Sequence, residues 1–132
     1  MLFKQEITSK KHSQFIEITD IVQKLIEKNN MKFGICYIYI PHTTAAVTIN
    51  ENADPSVQRD MLMELDKMVP LEDGYAHIEG NSAAHIKASL LGFNQTILVE
   101  NGRLLLGTWQ GVYFSEFDGP KTRTIYIKLV SE

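Results

Sequence analysis

Alternating and helical periods divide the chain into short segments. In residues 2–8, Phe3, Gln5 and Ile7 fall on one side and Lys4 and Glu6 on the other, the two-residue period of a strand. Residues 14–18 continue the pattern, and the two segments predict a first hairpin. Thr19 or Asp20 then stands where a helix cap belongs. Ile21, Val22, Leu25 and Ile26 form an apolar stripe at helical spacing, and Asn29–Asn30 supplies a stop. Residues 33–40 are mostly β-branched or aromatic, and an extended pattern resumes over 44–50 after Pro41. The His42-Thr43-Thr44 segment is thus predicted between or within paired strands, with His42 on a strand edge.

Asp54 followed by Pro55 reads as an N-cap and a first helical residue, and Val57, Met61, Leu62, Leu65 and Met68 repeat at helical spacing until Pro70. Asn81 or Ser82 is predicted to cap a shorter third helix with Ala84, Ile86 and Leu90 as apolar surface, Gly92 at its end and His85 in its first turn. The Asn101–Gly102 pair predicts a type I′ hairpin, because both turn residues must tolerate positive φ. Asp118-Gly119-Pro120 marks another reversal. In the closing segment Ile125, Ile127 and Leu129 alternate with Thr124, Tyr126 and Lys128. Runs of strands punctuated by about three helices predict an α+β fold, a single compact domain over 1–132 with a mixed, largely antiparallel β-sheet.

Composition narrows the partners. A chain of 132 residues with 44% hydrophobic side chains can bury one proper core. A formal charge of -3, with 13 scattered basic residues, gives no broad attraction to phosphate backbones, so nucleic acid is not expected as a partner. The single cysteine, Cys36, lies in an apolar run, which excludes an intrachain disulfide, reads as a buried thiol and fits a reducing compartment. No run approaches the roughly 20 apolar residues that span a bilayer, and the first residues lack the apolar stretch of a signal peptide. The expectation is a soluble, cytoplasmic protein with no membrane partner.

Three segments hold residues suited to chemistry. Residues 41–55 bring His42, Thr43, Thr44, Asn50, Glu51 and Asp54 close in sequence, Asp54 also being a natural helix cap. Residues 75–85 hold His77 and His85 on either side of a Gly-Asn turn, a spacing that matches no standard zinc motif. A histidine in the first turn of a helix feels the positive end of the dipole, which favours the neutral imidazole, and the free N–H groups there suit an anion. Three neutral imidazoles meeting at one point would suit Zn²⁺ or a similar transition metal with an open position. Otherwise each is a satisfied structural histidine, and His12 reads as a surface residue. Residues 102–123 add Trp109, Gln110, Glu116, Asp118, Lys121 and Arg123. Trp109 reads first as a core aromatic, Gly107 and Gly111 as a bulge or a close backbone approach of the kind found at a ligand wall. Lys121 and Arg123 read as a clamp for phosphate or carboxylate, or as hairpin-end salt bridges to Glu116 or Asp118.

These segments, HTTAAVTINENADPSVQRDM, HIEGN, AHIKASLLG and NGRLLLGTWQGVYFSEFDGPKTR, run through nearly the whole chain. In that order and spacing the chain closely resembles the YjbQ family, whose members are described as secondary thiamine-phosphate synthases. The resemblance implies an α+β fold, a homotrimer and a ligand or metal pocket near the subunit boundary. It directs attention to His42, Thr43, Asn50, Glu51 and Asp54, to His77, Asn81 and His85, and to Gly107, Thr108, Trp109, Gln110, Glu116, Asp118 and Arg123. Lys121 departs from the arginine of many members and offers a point charge in place of a bidentate fork.

The implied activity joins a hydroxymethylpyrimidine diphosphate to a thiazole phosphate and releases diphosphate, as main or side activity. On that reading Glu51, Asp54 and His85 are catalytic, the two carboxylates holding Mg²⁺, and Thr43, Asn50, Asn81, Trp109, Gln110, Lys121 and Arg123 bind the small phosphorylated metabolite. One alternative is a zinc-dependent hydrolase of a small phosphorylated or acyl substrate, with the metal on His42, His77 and His85 and Glu51 as base. The other is a non-catalytic metabolite-binding module.

Overall fold

Strand alternation sorts the chain into two walls around one core. The computed structural model describes residues 1–132. In chain order the elements are β1 (Leu2–Thr8), β2 (Gln14–Glu17), α1 (Thr19–Lys28), β3 (Gly34–Tyr39), β4 (Ala45–Glu51), α2 (Pro55–Met68), α3 (Ser82–Leu91), β5 (Asn94–Glu100), β6 (Arg103–Leu104), β7 (Gln110–Glu116) and β8 (Thr122–Ser131). One sheet has the order β1-β8-β3-β5-β6 and the other β2-β7-β4. The α+β class and the three helices are as expected. Every pairing is antiparallel, in keeping with the largely antiparallel arrangement expected, and the strands divide between two sheets.

The predicted first hairpin is absent, because β1 pairs with β8 and β2 with β7. The connection between them crosses from one sheet to the other, and Ser9 holds it there: the Ser9 hydroxyl donates to Glu116 and the Lys121 amide donates back to that hydroxyl. β3 and β4 are likewise divided, so residues 40–44 form another short crossing, as do residues 117–121 between β7 and β8. The three crossings are bonded together, Phe117 N–H to the Thr44 carbonyl at 3.2 Å and Gly119 N–H to the His12 carbonyl at 2.9 Å.

Between the walls lie Cys36, Ile38, Ile97, Val99, Ile125, Ile127 and Leu129 from the larger sheet, and Val47, Val112 and Phe114 from the smaller, with Val22 and Ile26 of α1 closing the side. Each such side chain contributes about 1.5–3 kcal/mol on full burial. Thr19 does not cap α1. It is the first helical residue, and its hydroxyl donates to Glu17 and accepts from Val112 N–H, pinning the helix to β7. Asp54 does cap α2, accepting from Ser56 N–H at 2.9 Å with Pro55 behind it. The apolar stripe of α2 is only partly used. Leu62 and Leu65 rest on the small cluster of Ala46, Ala84, Ala88 and Phe117, and no residue of α2 is buried. Asn101 (φ 51°) and Gly102 (φ 76°) make the expected turn, but β6 ends at Leu104 and the chain then leaves the sheet. No helix is long and apolar enough to cross a membrane.

Candidate functional site

The site begins where a strand stops short. β3 ends opposite Tyr126, so Thr124, the next residue of β8 that would face it, has no strand partner on that side. His42, in the crossing that follows β3, fills the gap. Its Nε2 lies 3.0 Å from the Thr124 amide nitrogen and 3.0 Å from the Thr124 carbonyl oxygen. The nitrogen accepts from the amide in one tautomer and donates to the carbonyl in the other, and in both only Nδ1 remains for a ligand. Burial, and next the charge of Arg123, hold the His42 pKa below the ordinary histidine value, so the ring is neutral at pH 7.

Behind His42, Thr44 accepts from Arg123 Nη2 at 2.8 Å, and Arg123 grips Glu116 with Nε and Nη2. Glu116 is fully buried and also accepts from the Ser9 hydroxyl at 2.8 Å and the Asp118 N–H at 3.0 Å. Burial alone would raise its pKa; the hydrogen bonds from Arg123, Asp118 N–H and Ser9 outweigh it and hold the carboxyl below its usual value. Asp118 repeats the arrangement, with burial overcome by donation from Asn81 Nδ2 (2.9 Å) and Lys121 Nζ (3.0 Å). Lys121 and Arg123 are therefore both paired with carboxylates, across a sheet-to-sheet crossing rather than a hairpin end, and the free phosphate clamp is not formed.

On the next wall stand His77, in the loop before α3, and His85, four residues past the N-cap Asn81. Their rings meet edge to face with centroids 5.4 Å apart. Asn81 spends its amide on Asp118 instead of capping the helix, and its Oδ1 is buried without a partner. One cavity of about 820 Å³ takes in His42, Thr43, His77, Asn81 and His85, with Lys121 and Arg123 also on its walls. Tyr39 and Phe93, in edge-to-face contact, form an aromatic part of its lining, and Glu79 is its carboxylate without a hydrogen-bond or ion-pair partner. No three His, Cys, Asp or Glu side chains stand close enough together to hold a metal ion.

The other expected site residues are elsewhere. β4 starts at the cavity with Ala45 and carries Asn50 and Glu51 away from it, roughly 20 Å at about 3.3 Å per residue. There Glu51 pairs with Gln110, the Tyr113 hydroxyl donates to the Glu51 carbonyl, and Asp54 caps α2. Trp109 is not a core aromatic. It is 63% exposed, since the stretch after β6 has left both sheets and gives it no wall to pack on. Gly111 does mark a close approach, but to the protein itself: a Cβ there would meet Glu17 Oε2 at 2.7 Å and Asn52 Cβ at 2.8 Å. Gln110 folds its side chain back to Gly107 N–H at 2.7 Å. Residue types alone do not single out Glu79, although it lies midway between His77 and Asn81, nor Tyr39, the last residue of β3, and Phe93, just before β5, which are far apart in sequence.

Residues 4–132 match a family model described as UPF0047 protein YjbQ-like. A UPF0047 protein of Methanocaldococcus jannaschii is 48% identical over 132 residues, all of this chain and 96% of that protein. YugU of Bacillus subtilis is 51% identical over 131 residues, 98% of this chain and 99% of that protein. Among solved structures, an uncharacterized YjbQ/UPF0047 family protein of Clostridium acetobutylicum superposes with a TM-score of 0.95 at 50% identity, covering 97% of this chain and 99% of that one. A protein of unknown function from Sulfolobus solfataricus superposes with the same TM-score at 30% identity, covering 100% and 97%.

Proposed function

The chain belongs to the YjbQ-like UPF0047 family, and from the cavity we propose that it is an enzyme that hydrolyses a small phosphorylated metabolite at its three histidines. The observation that carries this is the His77–His85 pair, 5.4 Å apart in a polar cavity that also holds His42 and the unpaired carboxylate Glu79.

A divalent metal, zinc before magnesium given nitrogen ligands, would be held by His77, His85 and Nδ1 of His42 and would supply a water acidified toward neutral pH. His42 suits this role, since an Nε2–H directed at the Thr124 carbonyl is the outer partner that orients a ligating imidazole. In this arrangement no three of these groups stand close enough to share one ion, so binding of a metal requires the rings to move together. Glu79 takes the place expected for Glu51 as the base of the site, and Thr43 and the exposed side of Lys121 bind the anionic group. Tyr39 and Phe93 cover the apolar body of the substrate.

The transferase reading asks more of the site. A diphosphate needs more positive charge than a single phosphate, yet Arg123 is taken up by Glu116, Lys121 shares its charge with Asp118, and Glu51 and Asp54, the expected Mg²⁺ ligands, lie outside the cavity. Turnover of p-nitrophenyl phosphate and a panel of sugar and nucleoside monophosphates with Zn²⁺, Mn²⁺ or Mg²⁺ tests the proposal. H77A, H85A and E79Q are each expected to lose about 100-fold or more in kcat/KM, in keeping with loss of a metal ligand or a general base. Thiamine phosphate made from the two precursors would favour the transferase, and stabilisation without turnover a binding module.

We further propose a homotrimer. The outer face of the larger sheet exposes Leu2 (62%), Tyr39 (47%) and Tyr37 (40%) side by side with Tyr126, an apolar patch of the kind that marks an interface. Tyr39 belongs to both this patch and the cavity, so in such an assembly the site would lie near the subunit boundary. Light scattering on the eluted protein is expected to give three times 15.0 kDa, and a monomer mass would overturn the assembly.

A further inference from the structure

A second cavity, of about 420 Å³, lies on another face of α3, and its polar centre is Lys87. The Lys87 side chain is 6% exposed. Its ammonium has one protein acceptor, Asp66, which reaches it from α2 with a side chain 64% exposed. The Phe117 ring centroid is 6.0 Å away. An ammonium carries three donors, and a buried one without acceptors is costly, so a single carboxylate from a loosely seated helix leaves the group under-served. Around it the lining is half polar, with Ser13 and His12, and half apolar, with Leu71, Ala83 and Ala84. None of these lines the histidine cavity.

We propose that this cavity is a second ligand site, for a small organic carboxylate with a short apolar chain. The carboxylate accepts from Lys87 and from the Ser13 hydroxyl, and the chain lies against Ala83, Ala84 and Phe117. Asp66 sets the ligand's charge. Its carboxylate already faces the ammonium, so a phosphate dianion meets more repulsion than a monoanion, and an uncharged acceptor makes a weaker hydrogen bond to the ammonium than a carboxylate does.

The test is thermal denaturation and calorimetric titration with sodium butyrate, with sodium chloride at matched ionic strength and inorganic phosphate as comparison probes. Butyrate is expected to raise Tm saturably. D66N, a change at an exposed side chain, is expected to bind butyrate several-fold more tightly because the competing carboxylate is gone. K87M is expected to lose the response, as is A83L, which fills the cavity and keeps the ammonium, so a K87M chain that fails to fold leaves the question decidable. H85A is expected to respond as the wild type does, which separates this site from the histidine cavity. No saturable shift in the wild type, an undiminished response in A83L, weaker binding by D66N, or a Lys87-dependent preference for phosphate would each overturn the proposal.

Discussion

Arg123→Met tests the claim that Arg123 supports the site from behind rather than clamping a ligand. In the native chain the Arg123 side chain is 7% exposed and its partner Glu116 fully buried. Removing the guanidinium leaves the Glu116 carboxylate with only the Ser9 hydroxyl and the Asp118 N–H, and releases the Thr44 hydroxyl beside His42. Breaking a buried pair from one side costs about 3–5 kcal/mol. With an unfolding entropy of roughly 2.1 cal/mol/K per residue over 132 residues, that is a fall in Tm of roughly 11–18 °C. The sign of the pH dependence is fixed by the same contacts. Because Glu116 titrates below 4.5 in the folded chain, its contribution is complete above that unfolded value and is lost as pH falls through the lower folded one. In the variant only the Asp118 N–H and the Ser9 hydroxyl still oppose burial, so the carboxyl titrates higher than in the native chain, and the deficit, greatest at pH 7, shrinks as acid neutralises the stranded charge. Denaturant unfolding followed by circular dichroism at pH 7, 5.5 and 4 measures both, and the E116Q/R123M double variant is expected to recover much of the loss at pH 7. A deficit under about 1 kcal/mol at pH 7, of the size seen for exposed pairs, or one unchanged at pH 4, would refute the argument.

Three further outcomes follow from single contacts. Asp54→Ala removes the cap of a helix with no buried residue, and a loss of about 1 kcal/mol is expected as faster amide exchange confined to α2, with the strands unaffected. Gly102→Ala places a Cβ at φ 76°, and a cost of about 1–2 kcal/mol is expected in equilibrium unfolding; no change would mean that the turn relaxes out of its positive-φ form. Burial pushes the Cys36 thiol up to about 12, so the folded protein is expected to resist iodoacetamide at pH 8 and to label only when unfolded.

The elements were legible because alternation and caps are local. Ile7 and Ile16 face a common core whether their strands are neighbours in one sheet or sit in opposite walls, so periodicity alone cannot distinguish a hairpin from a crossing. The crossing is decided by Ser9 and Glu116, 107 residues apart. Thr19 shows the same limit on a smaller scale: its hydroxyl had two uses, and the partner that won, Val112 N–H, is 93 residues away.

The site divides along the same line. His77, Asn81 and His85 were legible as a group because a tight turn and one helical turn keep residues four apart close together. The segment from His42 to Asp54 looked equally coherent, but β4 is extended and carries Glu51 roughly 20 Å from Ala45, about twice the breadth of an 820 Å³ cavity. Density of polar residues in a sequence marks a site only where the backbone between them is compact. Lys121 and Arg123 could be either a clamp or salt bridges from the residues alone, and what decides between them is the depth of Glu116. A carboxylate with no exposed surface requires a cation at close range, and once Arg123 meets that need its charge is no longer free for a substrate.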